Sequence, residues 1–262
     1  MESLNTYWSD RALLEWQIEL GADEALNETP VNRYDLDPAP AKPVAKAAAE
    51  APALPPKAPE VDVVAIAKSA ASGAADLEAL AAAMQGYEHC ELQQGAKTFV
   101  FSDGAPTARV MIIGDAPGRQ EDIAGKPFVG QVGVLLDKMF AAINLERAAA
   151  DPAHGVYLTN VLPWRPPSNR TPNEAEFAMM VPFLERHITL ANPDVVVLMG
   201  NDPCQALLGR AGITRLRGKW QEVLGRPALP MAHPSTLLQQ PAAKRDAWAD
   251  LLSLQAKLRE LS

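Results

Sequence analysis

A chain of 262 residues, 48% hydrophobic, is long enough for one sizeable core plus extra segments, and no apolar run approaches the roughly 20 residues a bilayer-spanning helix needs. The net charge of −8 argues against a uniformly basic surface, but it is uneven: residues 1–60 carry −6, residues 61–160 carry −5 and residues 161–262 carry +3, so the C-terminal part can meet phosphate. The acidic start MESLNTYWSD is no secretory signal, and two distant cysteines, Cys90 and Cys204, cannot alone build a zinc or iron–sulfur site, so a soluble cytoplasmic protein with free thiols is expected.

In chain order, residues 4–22 show helical periodicity through Leu4, Trp8, Leu13, Leu14, Ile18 and Leu20. Residues 1–35 are therefore expected to form an N-terminal helical segment. Residues 36–60, rich in Ala, Pro and Lys, have nothing to build a core and read as a flexible linker. One domain is expected over 61–262. Its Ala-rich start, 61–86, predicts a helix ending near Gly86. Four short apolar runs follow: ARVMIIG (108–114), VYLTNV (156–161), DVVVLMG (194–200) and the weaker ALPMAH (228–233). Helical patterns cover 130–144, 173–191, 201–212 and 240–260. Short apolar strands alternating with helices predict an α/β fold, with a parallel sheet covered on both faces. In such sheets ligands bind beyond the carboxyl ends of the strands.

Each of the four strand ends carries a polar cluster. The first is GDAPGRQED, in which Gly114 and Gly118 permit tight turns whose amides can point into a cleft. Asp115 either supports its own turn or sits at the lip of a site. No Ser or Thr follows Gly125–Lys126, so the region is not a P-loop. Phe128, in GKPFVGQVG, is either core filling or a stacking platform for a flat ligand. The second cluster, TNVLPWRPPSNRTP, is a stiff loop with Asn160 at its start. The third is MGNDPC. The fourth, AHPSTLLQQP, holds His233 ahead of a proline, then Leu237 and Leu238 on what is expected to be an exposed loop. Adjacent exposed leucines suit a wedge entering a base stack.

Together GDAPGRQEDIAGKPFVGQVGVLL, YLTNVLPWRPPSNRTP, VVVLMGNDPCQALLG and HPSTLL resemble the uracil-DNA glycosylase superfamily, most closely its family 4 branch, from about residue 84 to the C-terminus. The resemblance implies a three-layer α/β/α fold around a four-stranded, mainly parallel sheet. It implies a hydrolase that flips uracil out of single- or double-stranded DNA and cleaves its N-glycosidic bond. Carried over by motif, Asp115 and His233 are catalytic. Asp115 orients water or stabilises the sugar cation, and His233 donates to uracil O2. Gly114 and Ala116 belong to the turn whose amides hold the base. Phe128 stacks on it, Asn160 reads its edge, and Glu121 shapes the pocket against thymine. Pro166, Pro167 and Ser168 grip the damaged strand, with Ser235 also on the DNA side. Leu237 and Leu238 fill the gap left by the flipped base. Arg165 and Arg170 are candidate phosphate contacts; Arg215, Arg217 and Lys219 are either phosphate contacts or ordinary surface charge.

Two departures from the family pattern stand out. Many family 4 members have Glu where this chain has Asp115. The branch also carries a four-cysteine iron–sulfur cluster, whereas Cys90 alone stands at a ligand position here. Tyr87, Trp164 and Met179 or Met180 occupy the other three, so no cluster and no metal is expected, and apolar packing takes its place. The alternative to catalysis is a binder of uracil-containing or damaged DNA. Covalent uracil-DNA binders of this superfamily carry a His-containing insertion that residues 161–186 lack. A serine hydrolase using Ser235, His233 and Asp115 would lack a G-x-S-x-G elbow. The catalytic unit is expected to be monomeric, with no membrane partner, and the N-terminal segment is a candidate recruiter of another repair protein.

Overall fold

The computed structural model describes residues 11–13, 15–17 and 62–261. The first two stretches are helical and belong to one unit, Met1–Pro59; the remainder belongs to a second, Glu60–Ser262. The linker expected over 36–60, and most of the segment expected over 1–35, lie outside the described residues.

The Ala-rich stretch forms two helices rather than one: α1 (Val63–Gly73) and α2 (Leu77–Gln85). Each begins behind its own aspartate. Asp62 accepts from the Ala65 N–H at 2.9 Å, and Asp76 accepts from the Ala79 N–H at 2.8 Å. Between them Ala74 is extended, and its carbonyl accepts from Arg186 Nη2 at 2.6 Å. Two capping carboxylates and a captured carbonyl outweigh the helix propensity of the alanines.

After α3 (Leu92–Gly95), the chain runs β1 (Ser102–Gly104), β2 (Val110–Gly114), α4 (Arg119–Ala124), α5 (Gly130–Ala141), β3 (Val156–Asn160), α6 (Glu174–Ala191) and β4 (Val195–Met199). It continues through α7 (Asn201–Leu208), α8 (Ile213–Leu216), β5 (Gln221–Val223), β6 (Arg226–Met231), α9 (Pro234–Gln239) and α10 (Lys244–Glu260). The sheet has six strands in the order β1-β3-β2-β4-β6-β5. The inner four are parallel and are those expected from the apolar runs. The two additional strands, β1 and β5, are antiparallel edges of three residues each. Their sequences, SDG and QEV, carry no apolar run to announce them.

Alternate residues of the inner strands feed opposite layers, as the strand period of two requires. Met111, Ile113, Val196 and Leu198 join a core with α1, α2 and α6. Val110, Ile112, Val195 and Val197 join a second core with α5 and α10. Every residue of β2, β3 and β4 is buried. Burying each such Val, Leu or Ile contributes roughly 1.5–3 kcal/mol, so the strand ends rest on a rigid platform. Among the described residues no helix is long and apolar enough to cross a membrane.

Candidate active site

The ends of β2 and β3 lie in register, Gly114 beside Asn160. A Cβ on Gly114 would sit 2.5 Å from Phe128 Cζ and 2.7 Å from Asn160 Oδ1. Only glycine lets the aromatic ring and the amide close over this strand end. Asn160 is 7% exposed, and no described residue hydrogen-bonds its side chain. Its amide instead faces a cavity of about 550 Å³, which Phe128, His233, Asp115, Ala116 and Glu121 also line. A buried amide without a protein partner is a binding group awaiting one.

Phe128 is held in a left-handed conformation, φ 52°, which is strained for an aromatic residue. Three hydrogen bonds to residues 127–129 maintain it. Arg147 Nη2 donates to the Phe128 carbonyl at 3.0 Å and Nη1 donates to that of Pro127 at 3.2 Å. Glu121 Oε1 accepts from the Val129 N–H at 3.2 Å, while Oε2 accepts from the Gly118 N–H at 3.1 Å. The expected pocket-lining Glu121 therefore also ties the GDAPG turn to the Phe128 turn. Arg147, itself paired with Asp103 and Asp137 at 2.9 Å, went unnoticed in the sequence because its partners are 44 and 10 residues away.

His233 sits between β6 and α9, its ring centroid 5.5 Å from that of Phe128. The Ser235 N–H donates to His233 Nδ1 at 3.2 Å, and Ser235 Oγ lies 2.7 Å from the same nitrogen. Nδ1 is thus an acceptor, which assigns the proton of the neutral ring to Nε2. Burial pushes the imidazole pKa down to about 4, so the ring is a neutral donor at physiological pH. Because Nδ1 is occupied by a backbone amide, it is poorly placed to act as a base for Ser235.

Asp115 follows β2 and reaches toward the start of α7. Its Oδ1 accepts from the Asp202 N–H at 3.1 Å. Gly200, at φ 112°, makes room: a Cβ there would lie 2.2 Å from Asp115 Oδ1. Burial, then the charge of Asp202, pushes the Asp115 pKa up to about 7. Burial and Asp115 together push Cys204 up to about 12, so this thiol stays protonated. Gly200 and Asp202 were both legible as strand-end residues in MGNDPC, but nothing in the sequence said they meet Asp115.

On the DNA side, Pro166 is buried, and Pro167–Asn169 form a short 3-10 turn with Ser168 and Asn169 both at φ 54°. Arg165 Nε donates to Asn169 Oδ1 at 2.8 Å. Arg170 forks onto the buried Glu176, with Nη1 2.9 Å from Oε2, so its charge is already matched. Arg217 likewise grips buried Asp250 and the Asp246 carbonyl, an anchor for α10 rather than a phosphate contact. Arg215 and Lys219 are exposed.

The leucine pair does not sit on a loop. PSTLLQ forms α9 behind His233, and the helix phase separates the two side chains: Leu237 is 1% exposed, against Ala232 and Ala247, while Leu238 is 40% exposed. Of the expected wedge, only Leu238 is available.

The positions that the family resemblance assigns to cluster ligands lie within one apolar core. Tyr87, Cys90, Trp164, Met179 and Met180 are all buried there. The Tyr87 hydroxyl donates to the Val63 carbonyl at 2.7 Å, and its ring meets Phe183 edge-on at 5.5 Å. Trp164 stacks obliquely on Phe99 at 5.7 Å. Burial holds the Cys90 thiol above its ordinary range. One protonated thiol among Tyr, Trp and Met does not fit an iron–sulfur cluster. Among the described residues, no group of three His, Cys, Asp or Glu could hold a metal ion.

The family model for the uracil DNA glycosylase superfamily matches residues 101–252. The chain is 34% identical over 186 residues to a protein of Sulfurisphaera tokodaii named type-4 uracil-DNA glycosylase, covering 66% of this chain and 79% of that one. Proteins of the same name from Archaeoglobus fulgidus and Thermotoga maritima are each 35% identical, covering 62% and 57% of this chain and 82% and 77% of theirs. The α/β sheet, the four strand-end clusters and these matches converge: the chain belongs to the uracil DNA glycosylase superfamily.

Proposed function

We propose that the protein is a monofunctional uracil-DNA glycosylase that flips uracil from DNA, hydrolyses the N-glycosidic bond and leaves an abasic site. The observation that carries this reading is the single cavity in which an unpartnered amide, an aromatic ring, a neutral histidine and the half-buried Asp115 carboxylate converge. Phe128 stacks on the flipped base, and the Asn160 amide, both donor and acceptor, reads its edge. His233 Nε2–H donates to uracil O2 as the C1′–N1 electron pair moves onto the leaving base. Ionised Asp115 stabilises the positive sugar and orients the water that adds to C1′. The 3-10 turn of Pro166 to Ser168 bears on the damaged strand, and Leu238 enters the vacated stack.

The reading includes no iron–sulfur cluster; the buried aromatic and thioether core around Tyr87 and Trp164 supports this. It also takes the enzyme to be a cytoplasmic monomer. The test is an oligonucleotide with one uracil, single-stranded and paired with G or A, followed by alkali. Alkali-labile sites at uracil, and none in the matched thymine strand, are expected. An uncleaved uracil strand in every context overturns the proposal.

A further inference from the structure

Beside the base cavity lies a second one of about 250 Å³. The two share Asp115, Ala116, Gly118 and Asn169. Asp202 lines only the second, which neither Phe128 nor His233 lines. The carboxylate of Asp202 is half-buried and makes no hydrogen bond or ion pair among the described residues, while its own N–H holds Asp115 Oδ1 at 3.1 Å.

The other titratable and charged groups around Asp115 are already neutral or spoken for. Glu121 on α4 binds two backbone amides. Arg170 is forked onto Glu176. Cys204 on α7 is held protonated and His233 is neutral. Asp202 is therefore the group with an unmatched charge next to Asp115.

Resting on the glycosylase reading above, we propose that Asp202 is a positioning residue for Asp115: its amide fixes the carboxylate, and its side-chain charge moves the acidic limit of activity to higher pH than burial alone would place it. A like charge favours the protonated form of its neighbour. With Asp115 titrating at about 7, about one tenth of it is ionised at pH 6. Burial raises Asp115 most and the Asp202 charge raises it further, so together they place the acidic limb near neutral pH. The Asp202 N–H on α7 is the one hydrogen bond that holds the Asp115 carboxylate among the described residues.

The experiment is the pH profile of single-turnover uracil excision by wild type, Asp202→Asn and Asp202→Glu. Asn keeps the N–H to Asp115 and removes the charge. The acidic limb of Asp202→Asn is expected at lower pH, so its rate at pH 6 rises as a fraction of its alkaline plateau. Asp202→Glu is expected to retain the wild-type limb. An active wild type whose limb is unchanged in Asp202→Asn overturns this inference and leaves the glycosylase reading standing. A shift in Asp202→Glu equal to that in Asp202→Asn also overturns it, because it assigns the effect to structure rather than charge. A wild type inactive on uracil at every pH overturns both.

Discussion

The Ser235 N–H donates to His233 Nδ1 at 3.2 Å, and this bond decides which ring nitrogen faces a ligand with a proton. With the pKa of the ring pushed down to about 4, the donor does not titrate between pH 5 and 9. His233→Ala is expected to lower the excision rate by about 10²–10³, the usual effect of removing one oxyanion donor. Ser235→Ala removes Oγ but leaves the N–H, so its loss should be far smaller. Single-turnover rates on one uracil oligonucleotide compare the two.

Gly114→Ala tests the cavity itself. Its methyl would meet Phe128 Cζ at 2.5 Å and Asn160 Oδ1 at 2.7 Å, so base binding is expected to fail while the fold survives. Phe128→Ala removes stacking worth about 1–3 kcal/mol, roughly 5- to 150-fold in affinity for the flipped base. Titration with a uracil-containing strand and a catalytically silenced background variant would measure both.

Asp115 carries a conflict between stability and function. Its pKa of about 7 in the folded protein exceeds the ordinary 3.8, so the folded state holds its proton more tightly than the unfolded chain. Stability from this group is therefore present at low pH and lost as pH rises from about 4 through 7. Asp115→Asn removes that loss. It should melt higher than wild type at pH 8, by an amount on the order of a few kcal/mol, with the gap closing toward pH 4. Excision should fall in the same variant. Melting curves at the two pH values, alongside rates, check the sign.

Leu237 and Leu238 should part company. Leu237→Ala empties a buried site and should cost about 2–5 kcal/mol of stability. Leu238→Ala should leave the urea midpoint unchanged and slow excision from duplex more than from single strands, because only duplex has a stack to fill. Equal effects of the two substitutions on stability would contradict the helix phase described above.

Trp164→Ala should destabilise by about 3–5 kcal/mol, as expected for truncating a buried tryptophan. Freshly purified protein should contain no iron and no acid-labile sulfide, and chelators should leave activity unchanged. Metal analysis and urea denaturation address these points.

The inner strands were legible because buried parallel strands read as unbroken apolar runs. The candidate site residues are legible because they sit at the ends of those strands within compact motifs. What escaped was relational. Arg147 and Arg217 look like surface charge until their partners, up to 44 residues away, are brought together by folding. The edge strands are too short and polar to carry a period. In α9 a one-residue difference in helix phase decides which leucine is buried, and the sequence LL does not encode it. Asp202 lies in the strand-end cluster MGNDPC; its meeting with Asp115, 87 residues earlier, is a product of the sheet topology.

The most direct measurement is chromatographic detection of free uracil from an oligonucleotide with one uracil, counted against abasic sites in the same reaction. Wild type should release one uracil per abasic site, with Asp115→Asn and His233→Ala slowed severely. Tight binding of the uracil strand with no uracil released at any pH from 6 to 9 would contradict the account and leave a binding protein in its place.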